Sequence, residues 1–412
     1  MRVATHRAPN FVFVEHEFEV PLDHAAPDGE RLTVFAREVV SPGREGDELP
    51  WLVFLQGGPG HESPRPLKLL EKTWLERALQ DYRVLLLDQR GTGRSTPVGD
   101  LPGMSSELQA EYLTHFRADS IVRDAELIRR ELGVERWSVL GQSFGGFCVL
   151  AYLSQAPEGL AEAFLTGGLA PLERGPDEVY RATYERVLDR NRRYYDRYPA
   201  DRERVREIRR RLDADDVRLP GGDRLTGRRF RQIGHMLGMG SGAEHLHSIL
   251  ELPVDSPAFL HDVDAAGQFP RNPLYAAIHE ACYADGCATR WSAERLLPEA
   301  YEDPELFTGE HVYPWMFEDY SALKPLREAA EILASVDWPR LYDPEQLRAN
   351  EVPAAAAVYA EDMYVERAFS EETAAHVRSL KPWVTNEYQH DGLRAEGDRI
   401  LARLIDLARG RA

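Results

Sequence analysis

Three short apolar runs, WLVFL at 51–55, RVLLLD at 83–88 and WSVLG at 137–141, are continuous rather than alternating, and each leads into a glycine-bearing turn. A strand with no polar face has to be covered on both sides, which is the situation of a parallel sheet with crossover helices above and below it. The segment DSIVRDAELIRREL at 119–132 supplies such a helix. Ile121, Ala125, Ile128 and Leu132 fall on one face, Asp119 is placed to cap the start and Gly133 to stop the end. Strand, turn and helix therefore alternate, and the expected class is α/β with a mostly parallel central sheet. Ahead of it, FVFVEHEFEVPL at 11–22 and RLTVFAREVV at 31–40 alternate enough to predict a half-exposed antiparallel pair.

The alternation breaks near Asp177, where a charged helical stretch rich in Arg and Tyr runs to Leu212, followed by shorter helical pieces and Gly/Pro turns up to about Asn350. VPAAAAVYAED at 352–362 then reads as a last strand, followed by a helix at 370–380 and a terminal helix near 394–409. With 412 residues the chain exceeds the usual single-domain size. The expected organisation is a core made of 1–170 and 351–412, with a mainly helical cap, 171–350, inserted between them. The Arg-rich run RERVREIRRRL at 202–212 is read as a solvated helix face.

Fifty Lys and Arg stand against 69 Asp and Glu, a net charge of −19, so nucleic acid and anionic membranes are repelled and cationic ligands favoured. No apolar stretch approaches the roughly 18–20 residues of a membrane span, and the first residues lack a signal-peptide core, so the expected address is cytoplasmic. Cys148, Cys282 and Cys287 are too few and too oddly spaced for a disulfide framework or a zinc site, and are read as buried free thiols. No metal or cofactor is expected.

The chemistry centres on Gly141-Gln142-Ser143-Phe144-Gly145, a G-x-S-x-G pentapeptide between a strand and a helix, the setting of a nucleophile elbow. An acyl-transfer serine needs oxyanion donors. The Phe144 amide, first in the helix, is one, and Gly57 or Gly58 in QGGPG at 56–60 supplies the other. The base and its orienting acid follow the serine in the order acid, then His, which Asp362 and His390 satisfy. Glu361 and Asp391 are rival acids; alternation along a strand prevents Glu361 and Asp362 from both facing the base. His376 is a rival base, but it falls inside a helical segment, whereas His390 sits in a loop before Gly392. His235, His245, His247, His279 and His311 lie in the insertion and are assigned surface or packing roles. Asp88 and the arginines of DQRGTGRS are expected to pair and pin that loop.

QGGPG at 56–60, DQRGTGRSTP at 88–97, GQSFGG at 141–146 and YAEDMYV at 359–365 together resemble the prolyl aminopeptidase (proline iminopeptidase) family of α/β-hydrolases. HEACYADG at 279–286 and TGEHVYPWMFEDY at 308–320 extend the resemblance to its larger bacterial members. The resemblance implies an α/β-hydrolase core with a helical cap and cofactor-independent release of N-terminal proline from peptides through an acyl-enzyme. It also implies glutamates in the cap that read the free amine, as an exopeptidase requires. By position Glu280 resembles one of them and Glu310 a second, with Glu318 as its rival. Phe144, Tyr283, Tyr313, Trp315 and Phe317 are candidates for an apolar slot around a pyrrolidine ring, Tyr283 first among them. Two departures, Gln56 where many members have His and Phe144 where the smaller members have Trp, bear on the preference among proline, hydroxyproline and alanine. The competing readings are an esterase, amidase or broader aminopeptidase using the same serine, and a non-catalytic binding protein of the same fold. A homo-oligomer is left open.

Overall fold

Among the described residues the apolar runs form the centre of one nine-stranded sheet. The structure, a computed structural model, describes residues 2–66, 73–267 and 269–412. β1 (Arg2–Ala8), β2 (Phe11–Pro21), β3 (Arg31–Val40) and β5 (Arg83–Leu87) pair antiparallel in turn. From β5 onward the neighbours are parallel: β4 (Trp51–Leu55), β6 (Trp137–Gln142), β7 (Leu160–Thr166), β8 (Ala354–Tyr359) and β9 (Leu380–Thr385). Successive residues of a strand serve opposite faces. Leu52 and Phe54 join Leu140, Phe164, Ala355 and Ala357 against the helices Trp74–Asp81 and Gly397–Ala408. Val53 and Leu55 join Leu85, Val139 and Leu165 against Ala118–Glu131 and Phe144–Gln155. A sheet with two such faces has no room for polar alternation, which explains the unbroken apolar runs.

The antiparallel pair β2–β3 is in place, but it is not half-exposed: β2 and β3 are buried along most of their length. Charged residues survive there because they are paired. His16 meets Glu38 at 2.9 Å, Arg83 also binds Glu38, and Arg94 meets Glu15 at 2.8 Å. The helix expected at 119–132 spans Ala118–Glu131 with Arg117 at the cap position, so Asp119 lies inside the first turn instead. There its charge favours the helix dipole and faces Arg123 at 3.4 Å. Gly133 does stop the helix, at φ +69°. β7 and β9 have no counterpart in the sequence reading; Glu162 interrupts the apolar run of β7 and is neutralised by Arg409 at 2.6 Å.

β7 and β8 are neighbours in the sheet, yet the chain between them is helical among the described residues, broken by one isolated bridge between Arg218 and Arg224. It opens with the long helices Pro176–Arg197 and Asp201–Ala214. In the second, Val205, Ile208 and Leu212 are buried, while Arg202 and Arg206 both reach Glu305. No described helix is long and apolar enough to cross a membrane. Cys148 and Cys282 are buried free thiols and Cys287 is half-buried.

Candidate active site

Ser143 stands where β6 turns into the helix Phe144–Gln155, with φ 55° and ψ −126°, a conformation an L-residue holds only when its surroundings impose it. The flanking glycines explain how. A Cβ on Gly145 would fall on the Leu55 carbonyl oxygen, and one on Gly141 on the carbonyl oxygen of Gly145. Glycines at 141 and 145 thus let the turn press against the end of β4 with Ser143 at its apex.

Two other strand ends converge there. The Ser143 amide donates to the Thr166 carbonyl at 3.0 Å, and the next residue, Gly167, lies against the imidazole of His390: a Cβ on it would be 3.2 Å from Nδ1. Nucleophile and imidazole therefore share one wall, the end of β7. His390 Nδ1 is 2.8 Å from Asp362 Oδ2. Asp362 Oδ1 accepts the amides of Tyr364 at 2.8 Å and Val365 at 3.1 Å, so the carboxylate just past β8 is held at both oxygens. Both side chains are buried, and the Tyr364 ring sits edge-on to the imidazole at 4.7 Å. Burial opposes a charge on His390, but the Asp362 carboxylate, with a contribution from Glu310, outweighs it and raises the imidazole pKa above its ordinary value. The rivals lie elsewhere. Glu361 pairs with Arg193 at 2.6 Å, Asp391 accepts the Gly240 amide at 2.9 Å, and His376 ends the helix Arg367–His376.

Phe144 is the first residue of its helix, so its amide has no intrahelical acceptor. Gly57 packs beside the serine, a Cβ on it being 2.9 Å from Ser143 Cβ, and its amide donates to the Gln56 side-chain oxygen at 3.0 Å. The loop 88–95 is pinned partly from within, through Asp88 and the Arg94 amide, while its arginine side chains pair with acids outside it. Asp88 accepts the amides of Ser63 and Arg94, while Arg90 is buried against Asp124, with 2.7 Å from Nε to Oδ2.

The glutamates of the helical segment diverge. Glu310 borders a cavity also lined by Tyr275, Phe269, His235 and Arg229. Tyr275 donates to its Oε1 at 2.6 Å, leaving Oε2 4.0 Å from His279 Nε2. Burial works against its charge, but His279, Tyr275 and His390 outweigh it and hold its pKa down at about 2. Glu280 is buried with both oxygens committed: Oε1 accepts the Ala293 amide at 2.9 Å and Oε2 that of Ser292 at 3.2 Å, at the start of the helix Ser292–Arg295. Burial raises its pKa, which those bonds only partly offset. Glu318 is exposed and pairs with Arg327 at 2.8 Å. Tyr283 packs edge-on against Phe147 at 5.6 Å and Tyr180 at 5.9 Å, and feels the charges of Glu310 and Asp362. Tyr313 stacks on Trp315, and Phe317 lies against Trp291.

Sequence reasoning passed over Tyr275 and treated His279 as packing. Tyr275, His279 and Tyr283 recur every four residues, and their rings follow one another at 4.9 and 6.0 Å. That period was the available signal. Tyr275 also rests on the glycine loop: a Cβ on Gly60 would be 2.8 Å from the Tyr275 amide nitrogen.

Residues 50–216 match the family model described as the alpha/beta hydrolase fold. The chain is 51% identical over 409 residues to a proline iminopeptidase of Aeromonas sobria, with 96% of each chain covered. It is 37% identical over 431 residues to a proline iminopeptidase of Aspergillus aculeatus, covering 96% of this chain and 94% of that one.

Proposed function

The chain belongs to the proline iminopeptidase family of α/β-hydrolases, and from that premise we propose that it releases N-terminal proline from peptides through an acyl-enzyme on Ser143. The observation that carries the residue assignment is the shared wall at Thr166–Gly167, which sets the strained Ser143 beside an imidazole already bonded to a buried carboxylate. The helical segment 171–350 acts as the cap over this site.

Ser143 Oγ attacks the carbonyl carbon of the N-terminal proline and passes its proton to His390 Nε2, while Asp362 Oδ2 holds the Nδ1–H and stabilises the imidazolium. The carbonyl oxygen, now an anion, is met by the Phe144 amide and by Gly57 or Gly58; use of Gly57 requires the Gln56 side chain to release that amide. Collapse breaks the C–N bond, and His390 returns its proton to the departing peptide amine. Water, deprotonated by the same imidazole, then attacks the prolyl ester, freeing proline and restoring the Ser143 hydroxyl.

The substrate's secondary ammonium pairs with Glu310, whose Oε1 is steadied by Tyr275 and whose Oε2, 4.0 Å from His279 Nε2, is the less tightly held oxygen. With its pKa held down at about 2, Glu310 is a carboxylate at neutral pH and presents a negative charge to a cationic amine. Tyr283 forms part of the apolar wall for the pyrrolidine ring. Hydrolysis rates on the p-nitroanilides of proline, alanine and N-acetyl-proline test this reading. Proline is expected to be cleaved fastest and the acetylated compound hardly at all; equal cleavage of the acetylated compound would overturn it.

A further inference from the structure

The long helix Pro176–Arg197 presents three arginines at the spacing i, i+4, i+7, a single helical face, to the loop that carries Asp362. Arg186 forms a two-pronged bond with Glu366, 2.7 Å on each side. Arg193 binds the Glu361 carboxylate at 2.6 Å. The two glutamates flank Asp362, so the acid loop is gripped on both sides. Arg190, between them, does something different. One of its terminal nitrogens, Nη2, donates to the Glu361 carbonyl at 2.5 Å and also to the side-chain oxygen of Gln389. Glu361 and Gln389 immediately precede Asp362 and His390. One guanidinium nitrogen from the inserted segment thus spans the two loops whose side chains meet in the 2.8 Å Asp362–His390 bond.

We propose that Arg190 is a positioning residue for the acid–base pair, tying the Asp362 loop to the His390 loop so that the pair keeps its working geometry only while this helix is docked. The inference rests on Asp362 and His390 being the acid and base of the reaction. The bridge suits an arginine: the two N–H bonds of Nη2 lie in the guanidinium plane at a fixed angle, so one nitrogen serves both acceptors in set directions, which the freely rotating ammonium of a lysine does not. Its side chain is 14% exposed and charged among Glu361, Asp189 and Asp362, so the bridge is shielded without being walled in. Beside it a surface cleft of about 330 Å³, bordered by Arg186, Asp189, Arg193 and Asn386, leaves a path by which a small cation can enter.

The test is Arg190→Ala in the full-length enzyme, assayed on proline p-nitroanilide beside Asp362→Asn and Arg193→Ala. Displacing a catalytic pair by a fraction of an ångström costs roughly 10–100-fold, and that loss is expected in kcat with KM within about two-fold, because the substrate-holding groups are untouched. Millimolar guanidinium should recover part of the lost kcat, a readout that a general loss of stability would not give. Arg193→Ala, which removes a bond to one loop only, should change kcat less than about three-fold. If Arg190→Ala does not fold, Gln389→Ala removes the other end of the bridge and carries the same expectation for kcat and KM. A kcat within two-fold of the parent, or a lowered kcat that guanidinium leaves unchanged, overturns the proposal. An active Asp362→Asn would instead overturn the triad assignment on which it stands.

Discussion

At the sheet rim, Asp362 meets Tyr364, Val365 and, 28 positions on, His390, all at the ends of neighbouring strands. In the helical wall, Glu310 depends on Tyr275, 35 positions earlier, and Glu280 on amides of a four-residue helix that has its own connections. The rim is set by strand topology, which repeats wherever the pattern of strand, turn and helix repeats. The wall is set by individual long-range contacts. Two carboxylates there, Glu280 buried and Glu310 partly open to the cavity, end in opposite electrostatic states: Glu310 is held far below the ordinary value and Glu280 above it. Burial alone sets neither; what differs is that Glu310 has hydroxyl and imidazole partners aimed at its charge.

The largest expected effect falls on the rim. Ser143→Ala should lower kcat by about 10⁶-fold and abolish labelling by a fluorophosphonate. Asp362→Asn should cost on the order of 10⁴-fold, because the imidazole loses the partner that fixes its tautomer. The wall should respond less and differently. Glu310→Gln is expected to lower kcat/KM for proline p-nitroanilide by about 10–100-fold, the loss of one charge-assisted bond worth roughly 1.5–3 kcal/mol. Glu280→Gln should leave KM within about three-fold and show itself as a lowered melting temperature, since it weakens a helix start. An equal effect of the two Gln substitutions on KM would break the distinction between them. The smallest effect is in pH. The base works only when neutral, and its pKa is raised, so kcat/KM should climb with pH through a midpoint above 6.5, the ordinary imidazole value. Glu310→Gln removes one of the charges that raises it, so the midpoint should move down; a limb that stays in place would refute that coupling.

The same contrast explains what the sequence made legible. WLVFL, RVLLL and WSVLG announce parallel strands because a doubly covered sheet leaves no alternative, and the glycines around Ser143 announce the elbow because any side chain there collides with β4 or its own turn. The order Ser143, Asp362, His390 follows from strand topology. Glu280 and Glu310 could be named by resemblance, but which of them has both oxygens tied to backbone amides depends on Ser292, Ala293 and Tyr275, residues that no local pattern links to them. The burial of β2 was missed for a related reason. Its charges look solvent-facing until Arg37 and Arg94 arrive at Glu15 from a neighbouring strand and a loop. Arg190 lay in a stretch read only as charged helix, and its meaning depends on two loops far ahead in the chain.

The neighbouring of β7 and β8 across the whole helical segment has a consequence for how the enzyme comes into being. Translation delivers Ser143 and its elbow with the first part of the chain, while the β7 edge that will receive Ala354–Ala357 waits uncovered until the ribosome has passed the entire segment between them. Asp362 and His390 emerge later still, with the final strands. On the proposed assignment a nascent chain holds the nucleophile before its acid and base exist, so the order of synthesis itself would keep an unfinished peptidase silent.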